Sequence, residues 1–181
     1  MSLAMKESSY AITLPVLNRT FEFKFSAALL PALMLAGRLT FGFYFLWLGF
    51  DKLITNFSAA GFLANASQGP LKGVFVDMGT STAAVNVIDP LVVWGQILIG
   101  FALFFGVFFR FALLMAAGQM FLFYLPQLWP EHNPFLDEHI FYIGAFAVLG
   151  ALGAGRVLGG DALIEKLEPV KKNPALKWLM G

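Results

Sequence analysis

One guanidinium, Arg38, sits inside an apolar run from Ser26 to Phe50, and a second cation, Lys52, follows just beyond it. Arg38, Gly42, Phe45, Gly49 and Lys52 recur at the three- and four-residue spacing of one helix face. Two cations on one face, with small residues leaving room between them, suit a small dianion, because attraction strengthens where water is excluded. An arginine near mid-bilayer costs about 2.5–3.5 kcal/mol on insertion scales, so it is expected to point inward at a partner. Gln96 and Gln119 are expected hydrogen-bond partners at similar depth, and no carboxylate is expected there. The alternative is a guanidinium bonded to backbone carbonyls, with the glutamines joining helices.

A second polar group gathers at the opposite ends of the apolar runs: Asp51, Lys52, Asp89, Trp94, Asp137, Glu138, His139 and Tyr142. A histidine beside carboxylates can exchange protons with a quinone head group at the membrane interface. It can equally sit in a solvated first helical turn, where acidic residues favour the helix dipole. His132 and His139 are the two histidines, seven residues apart and split by Pro134, which is not the spacing of a helical metal site. With no cysteine either, neither metal nor haem is expected.

The elements that must position these groups are membrane helices. The chain has 181 residues, 59% hydrophobic and 13% charged, where soluble domains carry about 25% charged residues. Its formal charge of +1 and lack of a basic patch exclude nucleic acid as a partner and leave the lipid bilayer. Residues 26–50 span about 37 Å as a helix, enough to cross the roughly 30 Å hydrocarbon layer. Pro90 to Trp129 is interrupted only by Arg110 and is too long for one crossing, so it must fold back near Gly106–Arg110. Helices are expected at 26–50, 89–105, 111–128 and 137–158, with Asp89 capping the second and Pro90 at its first position. Small-residue stripes, Ala28, Ala32, Ala36 and Thr40 on the first helix and Ala147, Ala151 and Gly155 on the fourth, are expected to let neighbouring helices approach.

The expected fold is thus all-α: an integral membrane four-helix bundle over residues 26–158, with a long extracytoplasmic loop between helices one and two. That loop reads as an interfacial cap or a functional lid. Residues 1–25 form an N-terminal arm without a recognisable signal peptide. Within it, Ala11–Val16 and Thr20–Phe25 make either a hairpin turning at Asn18 or an interfacial arm. Residues 159–181 form an amphipathic tail, with a helix over about Gly160–Leu167 and a short surface element at Asn173–Met180. With both termini inside, Lys6, Arg19, Lys24, Arg110, Arg156, Lys166, Lys171, Lys172 and Lys177 lie inside and only Lys52 and Lys72 outside. That bias puts arm and tail in the cytoplasm and the chain, multi-pass, in the cell (inner) membrane.

GRLTFGFYFLWLGFDKL, WGQILIGFALFFGVFFRFA and DEHIFYIGAFAVLGALGAGRVLGGD occur in this order and resemble blocks of the DoxX/DoxD membrane family, as does the FSAAGFLANASQGP connection. The positions that carry the resemblance are Arg38, Lys52, Gly100, Arg110, Gly155, Arg156 and Asp161, while Gln96 stands where many members have Glu. The resemblance implies a four-helix membrane bundle. It also implies a subunit of a thiosulfate:quinone oxidoreductase, working with a small DoxA-like partner to oxidise thiosulfate to tetrathionate. On that reading Arg38 and Lys52 hold the anion, His139 serves the proton chemistry, and Trp94, Gln96 and Tyr142 receive quinone. The alternatives are a non-catalytic scaffold subunit of a respiratory or redox complex and, less in keeping with four spans lacking an internal repeat, an anion transporter.

Overall fold

The computed structural model describes residues 9–16, 19–26, 29–130, 133 and 135–181, with side chains described from residue 29 onward. Polar–aromatic alternation in the arm gives two antiparallel strands, β1 (Ser9–Val16) and β2 (Arg19–Ser26), pairing Tyr10 with Phe25 and Leu14 with Phe21. The strands of the expected hairpin are present; Asn18 lies outside the described residues. From residue 29 onward the described chain is helical.

The first helix, α1 (Leu29–Ile54), leads into a connection holding two short helices, α2 (Ala60–Asn65) and α3 (Lys72–Thr80). Next come α4 (Thr82–Phe105), α5 (Phe109–Tyr124) and α6 (Glu138–Leu152). Three tail pieces follow, α7 (Asp161–Ile164), α8 (Glu168–Lys171) and α9 (Pro174–Leu179). Among the described residues three helices are long and apolar enough to cross a membrane: α1, α4, and α5 with the 3-10 turn that extends it to Gln127. With 15 residues, α6 is about 22 Å long, short of the hydrocarbon layer.

Several boundaries differ from the sequence expectation, each for a local reason. Helix α4 begins at Thr82, where the Ser81 hydroxyl accepts the Ala84 N–H, and it runs through Pro90. Asp89 does not cap its own helix; its carboxylate accepts the Ala59 N–H at 2.7 Å, at the start of α2. Helix α5 yields to a 3-10 turn at Leu125–Gln127, around Pro126. Helix α6 stops at Leu152 because Gly153 takes a left-handed conformation, φ 72°, and caps it. The tail helix expected to 167 is broken, with Pro169 inside the first turn of α8 rather than beyond a helix end.

The stripe that brings helices together is not the alanine ridge. Ala32, Ala36 and Thr40 are exposed; Met34, Arg38, Gly42, Phe45 and Gly49 are buried. Ala28 lies outside the residues with described side chains. A Cβ on Gly42 would collide with the Phe104 backbone, and one on Gly100 with the Leu46 amide, so α1 and α4 touch backbone to backbone. Lipid is as apolar as leucine, so such close approach, rather than a hydrophobic drive, holds membrane helices together. The Phe41 ring meets Phe146 edge-on at 5.0 Å, joining α1 to α6 across a core that includes Leu103, Phe109 and Met120. On α6, Ala147 and Ala151 are likewise exposed, and only Gly155 of that expected stripe is buried.

The connection is bonded to the far end of α5. Gln68 donates its N–H to Pro126 at 2.8 Å, and its side-chain amide donates to the Gln127 and Trp129 carbonyls at 3.1 and 3.0 Å. These bonds tie the connection to the far end of α5. The bundle therefore has a cap end, with α2 and α3, and a turn end, with the α4–α5 turn.

Candidate functional site

The turn end holds a buried polar knot. Gly106 and Phe108 both adopt left-handed backbone, φ 64° and 46°, which turns the chain sharply between α4 and α5. That turn leaves the first N–H groups of α5 without helical partners. The Asp161 carboxylate takes them from 53 residues away, at 2.7 Å from Phe108 N and 3.0 Å from Phe109 N. Its Oδ2 also accepts the Gly181 N–H at 2.8 Å. Asp161 is fully buried. The Gly160 and Asp161 amides donate to the Phe105 and Gly106 carbonyls at 2.9 and 2.8 Å, so two chain segments pair directly.

Arg38 enters this knot from α1. Its Nη1 donates to the Val157 and Ala154 carbonyls at 2.6 and 3.3 Å, and its Nη2 to the Leu158 carbonyl at 3.3 Å. Its Nε is buried without a partner. The Asp161 carboxylate acts on the guanidinium electrostatically. Glycines make the room: a Cβ on Gly159 would press on Arg38 Nη1, and one on Gly155 would press on Asp161 Oδ2 and the Phe109 side chain.

Two expectations are corrected here. Arg38 is level with the α4–α5 turn, not mid-helix in the bundle. The carboxylate not expected near it is Asp161, which the sequence reading named only as a position of the family resemblance. Its signal was present: an acidic residue directly after Gly159-Gly160, at the end of a long apolar segment.

Arg38 and Lys52 share a face but lie fourteen residues apart, about 21 Å along α1, so they cannot grip one small anion. Lys52 lies instead at the cap end, its ammonium 5.3 Å from the centre of the Phe57 ring. His139 and Tyr142 stand one turn apart on α6. The His139 Nδ1 lies 2.7 Å from Asp137 Oδ2, while Asp137 Oδ1 accepts the Ile140 N–H and caps the helix. Tyr142 stacks on Phe146 and lies 5.9 Å from Tyr44 between ring centres. Trp94 is not brought to them: it is half exposed on α4, whereas α6 packs on α5 and α1. His132 lies outside the described residues, and no group of three or more metal-ligating side chains occurs among the described ones.

Gln96 and Gln119 do not reach Arg38. Gln96 is 1% exposed and packs beside Gly49, eleven residues or about 16 Å from Arg38 along α1. Gln119 donates its amide to the Val92 carbonyl at 3.3 Å, joining α5 to α4. The side-chain oxygens of both glutamines are buried and have no donor.

The arrangement is a largely helical one, with three described helices long and apolar enough to cross a membrane and a polar clamp at one end. Compared with protein-family models, curated proteins and solved structures, the chain finds no match.

Proposed function

We propose that the chain is a non-catalytic membrane subunit that anchors partners of a redox complex. The observation that carries this reading is the use of Arg38: three backbone carbonyls occupy the guanidinium where a substrate anion would have to bind. The clamp locks α1 to the residues after α6 and to the α4–α5 turn, as a rigid anchor requires. The resemblance to DoxX/DoxD proteins supplies the redox context. On this reading α6, packed along α5, is the fourth crossing of the cell membrane. The turn end faces the cytoplasm, following the bias of nine cations against two noted above.

The test is mild purification of the full chain from its native membrane. A partner subunit is expected to stay bound, and the chain alone is expected to give no thiosulfate-dependent quinone reduction. Ala32→Leu with Ala36→Leu, on the exposed face of α1, is expected to release the partner while stability is unchanged. Turnover by the chain alone would overturn the anchor reading.

A second reading, a thiosulfate:quinone oxidoreductase, is favoured by the donor-free oxygens of Gln96 and Gln119 inside the apolar bundle. A quinol hydroxyl is a donor that would satisfy either one. Two thiosulfates joined by a new S–S bond release two electrons, which a quinone takes up with two protons. Arg38→Ala cannot test this reading, because it also opens the clamp. Gln96→Leu can: it is expected to remove co-purifying quinone if the amide binds it, and to leave folding intact because it deletes an unsatisfied polar atom.

A further inference from the structure

A groove of about 530 Å³ runs between α5 and α6 on the outer surface of the bundle, with Arg110 and Trp178 at its turn-end mouth. We propose that it is a binding site for one anionic phospholipid, with the phosphate on Arg110 and an acyl chain along the groove.

Three observations converge on this occupant. Arg110 is fixed, its Nε donating to the Gly150 carbonyl at 2.9 Å, and its two terminal nitrogens make no hydrogen bond among the described residues. Of the three arginines with described side chains, Arg156 is neutralised by Glu165 and Arg38 lies in the field of Asp161. Among the described residues Arg110 has no carboxylate within ion-pair distance, and unlike Arg38 its terminal nitrogens are not taken up by backbone carbonyls. A guanidinium held by Nε presents its Nη pair in the fork that matches a phosphate.

The second observation is the shape of the groove. Ala117 on α5 and Ala147, Gly150 and Ala151 on α6 keep it shallow of side chains, and it opens sideways onto the apolar flank where Leu114 and Val148 are exposed. From Arg110 to Ala117 it extends about 10 Å along α5. A long apolar chain leading from a charged head matches that layout.

The third is the tail. Helix α9 packs on α5 and brings Trp178 to the mouth, with Lys177 exposed beside it. An aromatic ring and a cation at the same level are an interfacial arrangement, and basic pockets between helices take anionic head groups. The exposed alanines of α6, which no neighbouring helix covers, are then explained as the floor of a lipid site.

The inference rests on the membrane reading alone, and lack of turnover or of a partner subunit leaves it standing. The test uses the full chain in a neutral detergent and follows thermal unfolding by tryptophan fluorescence. The added probes are dioleoyl phosphatidylglycerol, dioleoyl phosphatidylcholine and inorganic phosphate. Phosphatidylglycerol is expected to raise the unfolding midpoint saturably, and the other two to leave it in place. Arg110→Gln, which still reaches the Gly150 carbonyl, is expected to weaken the apparent affinity roughly tenfold or more. Ala147→Leu is expected to abolish the effect by filling the groove, with the lipid-free midpoint unchanged. Equal stabilisation by both lipids, or a phosphatidylglycerol effect that survives both variants, would overturn the proposal. So would a stable dimer that Ala147→Leu dissociates without lipid, since the groove would then hold a second copy. A chain that stays soluble without detergent would instead remove the membrane reading before any lipid is added.

Discussion

Replacing Asp161 by Asn isolates the clamp, because the side chain keeps its shape and loses its charge and one acceptor. The carboxylate accepts three N–H groups, from Phe108, Phe109 and Gly181, at 2.7, 3.0 and 2.8 Å. An asparagine has one oxygen, and its amide would face at least one of these donors. Hydrogen bonds to charged groups contribute roughly 1.5–3 kcal/mol each, and a buried donor left without its acceptor costs about 1–3 kcal/mol. These terms overlap, because the same two oxygens cap α5 and hold the Gly181 amide, so they are not summed. The expected loss is about 1.5–3 kcal/mol, a large share of a stability of roughly 5–15 kcal/mol. Unfolding in mixed micelles of dodecyl maltoside and sodium dodecyl sulfate, read by the fluorescence of the four tryptophans, measures it. Arg38→Met closes a double-mutant cycle, with an expected coupling of about 0.5–3 kcal/mol. A loss under about 0.5 kcal/mol, the range of ordinary surface changes, together with strict additivity would refute the clamp.

Three further outcomes are expected. Gly100→Leu is expected to abolish accumulation of folded protein, seen by size-exclusion chromatography, because even its Cβ would meet the Leu46 amide; a substitution this large cannot be absorbed as the usual 1–3 kcal/mol of overpacking. Gly118→Leu serves as the control, since a Cβ there meets nothing within 4 Å, and should behave as wild type. Asp137→Ala is expected to cost about 0.5–2 kcal/mol in the same micelle titration through loss of the α6 cap; no change would mean that Asp137 Oδ1 does not hold the Ile140 amide.

Composition and apolar run length made the helices legible. The fold-back near Gly106–Arg110 followed from length alone, because forty apolar residues exceed one crossing. The buried face of α1 was legible from spacing: Arg38, Gly42, Phe45 and Gly49 are all buried. Which small residues carry a contact was not. Ala32, Ala36 and Thr40 recur every four residues and Gly42 and Gly49 are seven apart, both helical spacings, and periodicity does not say which stripe meets α4. The deciding difference is that a glycine lets backbone meet backbone, while an alanine Cβ stands in the way. The caps at Ser81 and Asp137 look alike in sequence. Asp89 broke that pattern because α3 runs into α4 with only Ser81 between them, which places Asp89 inside a helix and frees its carboxylate for Ala59.

The depth of Arg38 shows why counting residues from helix ends misled the site. Counting assumes that every helix is centred on the same layer. In the structure Gly42 packs on Phe104, and Arg38 Nη1 would touch a Cβ on Gly106, so the first nine residues of α1 run about 13 Å past the α4–α5 turn. An arginine at mid-helix is thereby set at the end of the bundle. There the carbonyls of Ala154, Val157 and Leu158, past the left-handed cap at Gly153, need donors, and the amides freed by the turn at Phe108 need an acceptor. Arg38 and Asp161 answer these two deficits, one charge for each. The resemblance marked both residues without separating a catalytic role from a structural one. A group already bonded to its own backbone must break those bonds before it can hold a substrate.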